Sequence, residues 1–244
     1  MAEPELIALP PADLSAREPA VPGAGPGAAA PAALPQETVD RMQAVTRKLA
    51  FEADAWSAER ASEIRGFFDG VAPEWHLRNQ AERLWPLADA LARGGFEAGG
   101  TCVEVGSGTG FQTPTLTASF DLVVSVDLSA EMLVRSPRRA GVGLLRGDAN
   151  RLPLWAGSVD AVVCVNAFLF PVEYLRVLRR GGAVIFASTR GSLTPIYLPP
   201  TEVAQALELA AGHAISRGWT IATSKAGEGT WTVVRTTEKT AIAT

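Results

Sequence analysis

The stretch VEVGSGTG at residues 103–110 decides how this chain folds. Gly106, Gly108 and Gly110 stand at every second position directly after an apolar run, and Glu104 lies two residues before the first of them. This spacing predicts a tight turn from a buried strand into a helix, with bare backbone that a ligand can approach closely. Ligands of open α/β sheets bind beyond the carboxyl ends of the strands, so the loop stands where a binding site is expected.

Short apolar strands and helices alternate after Gly100. We expect five strands followed by a hairpin around the tight AGEG turn, at residues 101–105, 122–127, 142–148, 159–166, 183–189, 219–225 and 230–236. Near-continuous Val, Ile and Leu runs indicate strands buried on both faces, which is typical of a parallel sheet covered by helices. The sequence therefore predicts an α/β, Rossmann-like, doubly wound sheet of seven strands. Five are parallel, and the last two form an antiparallel hairpin.

The chain before the sheet divides into two parts. Residues 1–35 are dominated by Ala, Pro and Gly, a composition that predicts a disordered arm. Residues 36–95 carry helical spacing and predict an N-terminal helical cap, with helices expected over 36–68 and 78–95. Residues 96–240 are expected to form the ligand-binding core.

Composition narrows the classes of function. The 244 residues carry a formal net charge of -4, which disfavours nucleic acid as a partner. Two cysteines are too few for a disulfide framework or a zinc site, and we predict no metal. The longest apolar run, residues 159–170, is too short to span a bilayer as a helix. We expect a soluble, cytoplasmic protein, and its oligomeric state stays open.

An acidic residue ends the second predicted strand. Asp127 follows Gly110 by 17 residues, and a carboxylate at this place can accept hydrogen bonds from both hydroxyls of a ribose. An Asp at a strand end can instead cap the next helix, but Ser129 is available for that role.

The third strand also ends in a carboxylate. Asp148 can accept a hydrogen bond from the amino group of an adenine, or it can serve only as a turn residue. Leu128 and Ala149 are placed to pack on the faces of a base.

The glycine spacing and Glu104 distinguish between nucleotides. Nicotinamide-binding loops follow G-x-G-x-x-G and hold a pyrophosphate, whereas residues 106–110 read G-x-G-x-G. The carboxylate of Glu104 would repel a pyrophosphate and attract an ammonium or a sulfonium. An adenosine with a positively charged amino-acid tail fits all of these positions, which indicates S-adenosyl-L-methionine.

Residues 67–189 resemble the class I S-adenosylmethionine-dependent methyltransferases. The similarity is greatest to the type 11 small-molecule group, which includes ubiquinone and menaquinone methyltransferases. VEVGSGTG, VVSVDLSAEML, GDANRLPL, SVDAVVCVNAF and RVLRRGGAVIFAS carry it. The resemblance implies a methyltransferase core at 96–240 that transfers a methyl group to a small-molecule acceptor by in-line displacement. It also implies the cofactor-binding residues: the methionine portion lies on Glu104, Gly106, Ser107, Gly108 and Gly110, the adenosine on Asp127, Leu128, Asp148 and Ala149, and Asn166 flanks the transferred methyl group.

The chain departs from the group in two places. Only AFLFPVEYL separates the fourth strand from the motif RVLRRGG, whereas the group usually has a longer loop there. His76 stands where the group often has an acidic residue, and it is the candidate catalytic base, with a packing role as the alternative. Arg190, Thr194 and Tyr197 follow the fifth strand and could contact the acceptor or simply form a connection.

Two other classes of function stay open at this point. A nicotinamide-dependent short-chain oxidoreductase is disfavoured because neither Tyr174 nor Tyr197 has a lysine four residues later. A non-catalytic cofactor-binding protein is consistent with the shortened loop.

Overall fold

The structure, a computed structural model, describes residues 6–14, 35–212 and 219–235. Within them, eight strands form one sheet in the order β1-β7-β8-β6-β5-β2-β3-β4. The strands are Leu6–Ala8 (β1), Thr101–Val105 (β2), Leu122–Asp127 (β3), Val142–Arg146 (β4), Val159–Val165 (β5), Leu178–Ser188 (β6), Thr220–Ala226 (β7) and Gly229–Arg235 (β8). Only β8 is antiparallel to its neighbours, β6 and β7. The predicted Rossmann-like arrangement, with five parallel strands and a terminal hairpin, is confirmed.

Helices cover both faces of the sheet. They are Gln36–Phe51 (α1), Ala58–Val71 (α2), Trp85–Arg93 (α3), Thr113–Thr117 (α4), Ala130–Val134 (α5), Pro171–Val177 (α6) and Pro200–Ala210 (α7). Buried side chains of α1, α6 and α7 form one apolar cluster with one face of the sheet. Buried side chains of α3 and α4 form a second cluster with the other face. The central strands are therefore buried on both sides, which is why their sequences show no polar alternation.

The predicted strand count of seven was wrong, because β1 adds an eighth. Leu6–Ala8 pairs in parallel with β7, and the N–H groups of Leu9 and Ala12 continue the pairing by donating to the carbonyls of Thr223 and Lys225 at 2.8 and 2.9 Å. This segment belongs to the arm predicted to be disordered. Its short apolar run gains stability from the backbone hydrogen bonds of the sheet edge, which composition alone does not reveal. Residues 15–34 of the arm lie outside the described residues.

Two helix boundaries also differ from the predictions. The helical region 36–68 is divided into α1 and α2, because Ser57 caps α2 by accepting a hydrogen bond from the Arg60 N–H at 3.2 Å. The stretch VEYLRVLRRGG, residues 172–182, predicts a helix that ends at Gly181 and Gly182, but the helix ends at Val177 and Leu178 already begins β6. Gly181 lies within this strand with φ of 77°. Among the described residues, no helix has the length and apolar character needed to cross a membrane.

A buried polar cluster fixes residues 6–14, the segment that contains β1, to α3 and β7. Asp89 of α3 accepts hydrogen bonds from the Arg93 guanidinium, through Nε at 2.7 Å, and from the Trp231 indole at 2.6 Å. Arg93 also donates to the Pro10 carbonyl at 2.9 Å, and Ser224 Oγ donates to the same carbonyl at 2.8 Å. The buried carboxylate is thus paired with a cation and hydrogen-bonded, as its burial requires.

Candidate active site

The glycine loop connects β2 to α4 at the carboxyl end of the sheet. Gly106, Gly108 and Gly110 have φ angles of 65°, 56° and 75°, a region that side chains other than glycine rarely adopt. Space is also limited, since a β-carbon added at Gly106 would lie 2.8 Å from the β-carbon of Ala167. The loop is tied to β3 by the Ser107 N–H, which donates to the Val126 carbonyl at 3.1 Å. Both the backbone angles and the packing therefore account for the glycine spacing.

Glu104 lies beneath this loop. It is only 3% exposed, and its Oε2 accepts hydrogen bonds from Thr113 Oγ1 and Ser125 Oγ, each at 2.7 Å. Burial raises the pKa of Glu104 from 4.5 to about 7, the two hydroxyl donors oppose the rise, and the charge of Asp127 adds to it. The carboxyl group links the end of β2 to the first turn of α4 and to the neighbouring strand β3.

Asp127 holds the glycine loop from the end of β3. Its Oδ2 accepts a hydrogen bond from the Gly108 N–H at 2.7 Å, and its Oδ1 accepts one from the Ser129 N–H at 2.8 Å. Burial raises the pKa of Asp127, these two N–H groups lower it, and the nearby charge of Asp69 raises it further. The capping role falls to Ser129, whose hydroxyl accepts from the Met132 N–H at 3.1 Å. Asp127 is therefore free of the helix-capping role that was its alternative interpretation.

Asp69 was missed by the sequence analysis. It lies near the end of α2, and its Oδ1 accepts a hydrogen bond from Ser129 Oγ at 2.5 Å. The contact fixes α2 against the start of α5, close to Asp127. No sequence pattern marks Asp69, because it interacts with residues 60 positions away.

Asp148 follows the end of β4, as Asp127 stands at the end of β3. Its Oδ1 accepts from the Asn150 N–H at 2.8 Å, which is the turn interaction considered as its alternative role. Its Oδ2 accepts from the indole N–H of Trp56 at 2.8 Å, and Trp56 in turn packs edge-on against Phe170 with ring centroids 5.2 Å apart. Leu128 and Ala149 are half-buried beside these two strand ends. No motif in the sequence marks Trp56, which lies in the connection between α1 and α2.

Asn166 ends β5 in a left-handed conformation, with φ of 52°. Its side chain makes two hydrogen bonds with Thr189: Nδ2 donates to Oγ1, and Oδ1 accepts from the backbone N–H, both at 2.9 Å. Asn166 thereby joins the ends of β5 and β6. Asn tolerates this backbone region better than most residues, which explains its presence at the turn.

The segment 72–78, a 3-10 helix, covers the glycine loop. Its Trp75 packs edge-on against Phe68 at 5.6 Å between ring centroids, and its Nε1 lies 3.4 Å from a β-carbon built on Gly108. His76 is exposed, and its Nδ1 lies 3.1 Å from the carbonyl oxygen of Pro73 in the same segment. Trp75, and not His76, is the side chain that reaches the loop.

Three buried oxygens on and after the glycine loop have no hydrogen-bond partner in the described part of the chain: Ser107 Oγ, Thr109 Oγ1 and Gln112 Oε1. Buried polar groups are normally paired, because an unpaired group costs roughly 1–3 kcal/mol. The loop therefore offers several unused acceptors, and two hydroxyl donors, to a polar ligand.

The predicted acceptor-side residues follow β6. The Arg190 guanidinium lies 3.4 Å from the Glu228 carboxylate, and the Arg190 N–H donates to Thr194 Oγ1 at 3.2 Å. Burial raises the pKa of Tyr197, and the charge of Glu202 adds to it. The connection from β5 to α6 is short, running from Asn166 to Phe170.

Comparison with known proteins agrees with this geometry. Residues 103–186 match the family profile Methyltransf_11, described as a methyltransferase domain. The chain is 34% identical over 140 residues to the demethylmenaquinone methyltransferase of Beutenbergia cavernae, which covers 51% of this chain and 57% of that protein. The chain thus spans little more than half the length of this curated relative.

Two solved structures share the fold. One comes from a complex of the Haloferax volcanii Trm112 methyltransferase activator with a methyltransferase, at a TM-score of 0.57, 20% identity, and coverage of 70% of this chain and 97% of that one. The other is a SAM-dependent methyltransferase from Aquifex aeolicus, at a TM-score of 0.50, 18% identity, and coverage of 74% and 98%.

Proposed function

We propose that this chain, which carries a class I methyltransferase domain of the type 11 group, is an S-adenosyl-L-methionine-dependent methyltransferase acting on a small molecule. The resemblance stated from the sequence is confirmed at the level of the domain family and the fold. One observation carries the proposal furthest. The ends of β2, β3 and β4 present, side by side, a three-glycine loop and two carboxylates.

The residues present suit an adenosine with an amino-acid tail. The unpaired oxygens of Ser107, Thr109 and Gln112 offer partners for a zwitterionic tail on the loop. Asp127 and Asp148 already accept hydrogen bonds, but a carboxylate has about four lone-pair sites and each uses two in the contacts described. Both retain capacity for ribose or adenine donors.

Each residue takes a role in this arrangement. We assign Gly106 and Gly108 to the close approach of the methionine portion, Asp127 to the ribose, and Asp148 to the adenine amino group, with Leu128 and Ala149 beside the base. Gly110 and Ser107 complete the loop. Asn166, held by Thr189, fixes the turn next to the reacting centre.

Glu104 acts indirectly in this proposal. With 3% of its surface exposed, it supports the loop through Thr113. Its pKa is raised to about 7, so it places negative charge below the loop, and favours a cationic ligand above, in the fraction that is ionised near neutral pH and above. This differs from the open strand-end carboxylate that the sequence suggested.

The cofactor supplies a methyl group already activated on a sulfonium, so the protein mainly orients the two reactants and excludes water. Trp75 is the side chain placed to exclude water, because it packs over Gly108. A base is needed only if the acceptor loses a proton, and the assignment of His76 to that role stays a prediction. We further propose that the protein works in the cytoplasm without nucleic acid as a partner.

Calorimetric titration with S-adenosylmethionine, S-adenosylhomocysteine and NAD tests the proposal. We expect the first two to bind and NAD not to bind. Asp127→Asn should weaken S-adenosylhomocysteine binding about tenfold or more, since one accepting oxygen is replaced by an amide donor.

The matched control is Asp121→Asn. Asp121 accepts a hydrogen bond from the Gly100 N–H at 2.8 Å, next to the opposite end of β3, so its substitution should leave the affinity unchanged. Binding of NAD alone would refute the proposed function. Equal affinities in the two variants would refute the ribose assignment.

A further inference from the structure

Three arginines, Arg78, Arg83 and Arg190, form a group that the roles assigned so far do not use; we refer to them as the arginine cluster. Arg78 ends the 3-10 segment 72–78, Arg83 lies in the 3-10 segment 81–84, and Arg190 follows β6. All three are half-buried. Burial lowers the pKa of Arg83, and the charges of Arg190 and Arg78 lower it further.

Contacts of Arg83 and of Trp85, two residues later, place residues 83–85 between the glycine loop and the β7–β8 turn. On one side, Gln112 Nε2 donates to the Arg83 carbonyl at 2.7 Å, directly after the loop. On the other side, Trp85 packs so closely on Gly227 that a β-carbon there would lie 2.7 Å from the indole ring. The next residue in that turn, Glu228, pairs with Arg190.

The positive charge of the cluster is poorly neutralised. Glu228 is exposed and 3.4 Å from Arg190, so this ion pair is screened by solvent. None of the ion pairs described among residues 6–14, 35–212 and 219–235 involves Arg78 or Arg83. Arg83 Nε is buried without a hydrogen-bond partner, and Arg78 stacks over the Trp75 ring at 5.2 Å. A partly buried guanidinium without a counterion is costly unless an anion binds it.

The position of the cluster indicates which ligand brings the anion. Adenosine is assigned to the ends of β3 and β4, and the cofactor tail to the loop after β2. Arg190 follows β6, which is separated from β2 by β5. In the strand order, β6 therefore lies on one side of β2, and β3 and β4, to which the adenosine is assigned, lie on the other. Arg78 lies over the ring of Trp75, and Trp75 Nε1 lies 3.4 Å from a β-carbon built on Gly108, so one end of the cluster is a single side chain away from the glycine loop.

We propose that the arginine cluster binds an anionic group, a carboxylate or a phosphate, on the methyl acceptor. This inference rests on the proposed function, because it presumes a methyl acceptor beside the cofactor. The planar guanidinium suits both anions through paired hydrogen bonds. The other source of the same chemistry is the carboxylate of the cofactor's own amino-acid tail, and the experiment separates the two.

The experiment uses Arg83→Gln, Arg190→Gln and the control Arg180→Gln, in the full chain. Arg180 is exposed near the opposite end of β6, so it matches Arg190 in strand and charge. Metabolite extract is separated on an anion exchanger at pH 8, and each fraction is assayed with methyl-labelled S-adenosylmethionine. We expect the labelled product to arise from the retained fraction. Arg83→Gln and Arg190→Gln should each need about tenfold more of that fraction to reach half of the maximal rate, while the maximal rate itself stays unchanged. Arg180→Gln should match the wild-type chain in both quantities.

A second measurement identifies the source of the anion. S-adenosylhomocysteine carries the tail carboxylate and 5′-methylthioadenosine lacks it, so their affinities are compared across the variants by calorimetry. Unchanged affinities for both support the proposal. A tenfold loss for S-adenosylhomocysteine alone in Arg83→Gln would assign the cluster to the cofactor and overturn it, as would labelled product from the unretained fraction only.

Inorganic phosphate tests the cluster without turnover. It should raise the melting temperature of the wild-type chain and of Arg180→Gln, and raise it less in Arg83→Gln and in Arg190→Gln. Arg83→Lys, which keeps the charge, should recover part of the effect if the substitution itself leaves the fold intact. Equal shifts in all variants would contradict anion binding. A wild-type chain that binds no S-adenosylhomocysteine and makes no labelled product would instead refute the proposed function, whatever phosphate does.

Discussion

Glu104 makes the stability of this protein depend on pH in an unusual direction. Burial raises its pKa from 4.5 to about 7, so the folded state keeps a proton that the unfolded state loses as pH rises between these values. Stability therefore falls as pH rises from 4.5 and is lowest, for this group, above pH 7. The rise in the pKa of Glu104 corresponds to a loss of roughly 3 kcal/mol of unfolding free energy, at ~1.4 kcal/mol for each pKa unit. Most of that loss develops between pH 5 and 8.

The perturbation that isolates this effect is Glu104→Gln. The amide oxygen can still accept from Thr113 and Ser125, but the side chain cannot ionise. Any cost of the buried amide N–H₂ group is the same at every pH, so the change with pH is the quantity to measure. Relative to wild type, the variant should gain about 2–3 kcal/mol of unfolding free energy between pH 5 and pH 8.

Urea unfolding at pH 5, 6, 7 and 8, followed by tryptophan fluorescence, measures this difference. The matched control is Glu131→Gln, because Glu131 is exposed on α5 and ion-paired only with Arg135 at the surface. Its difference from wild type should be below about 0.5 kcal/mol at every pH. A Glu104→Gln difference that is constant across this range would show that the buried carboxyl group is not protonated in the folded state, and would refute the reasoning.

Three further predictions concern the glycine loop and its surroundings. Gly106→Ala should lower the unfolding free energy by about 2 kcal/mol in urea, since its φ is 65° and the β-carbon has no room; Gly66→Ala, an open position within α2, should not destabilise. Asn166→Ala should cost about 2 kcal/mol in the same assay, and Asn166→Gly less, because glycine tolerates the φ of 52° although it also loses the hydrogen bonds. Trp75→Ala should weaken S-adenosylhomocysteine binding several-fold in calorimetry, while Trp155→Ala, which removes a side chain that is 87% exposed, should not. Equal effects within either matched pair would contradict the corresponding role, as would an Asn166→Gly variant no more stable than Asn166→Ala.

The sequence predicted most of the sheet because its signals are local. The strands β2 to β6 are apolar runs bounded by turn residues, and Gly106, Asp127 and Asp148 stand at strand ends that a parallel sheet brings together. The tight turn between two apolar runs predicted the hairpin of β7 and β8. These features depend on neighbouring residues, so single-sequence reasoning reaches them.

The features that sequence reasoning missed depend on distant contacts. Asp69 and Trp56 reach residues 60 and 92 positions away, and nothing in their neighbourhood indicates a partner. The unpaired charge of Arg83 follows from the surrounding fold and not from its 3-10 segment. The strand β1 has an unremarkable three-residue sequence that becomes a strand only against the edge of β7.

The pairing of β1 with β7 has a consequence for how the protein is made. Leu6 lies opposite Ile221, so the outermost contact of the sheet joins positions about 215 apart in the chain. During synthesis β1 leaves the ribosome about 215 residues before its partner β7. Because closing so long a loop costs conformational entropy before any hydrogen bond forms, we expect this pairing to come after the central strands have assembled. Of the eight described strands, β1 is then synthesised before the others and joins the sheet after the central ones.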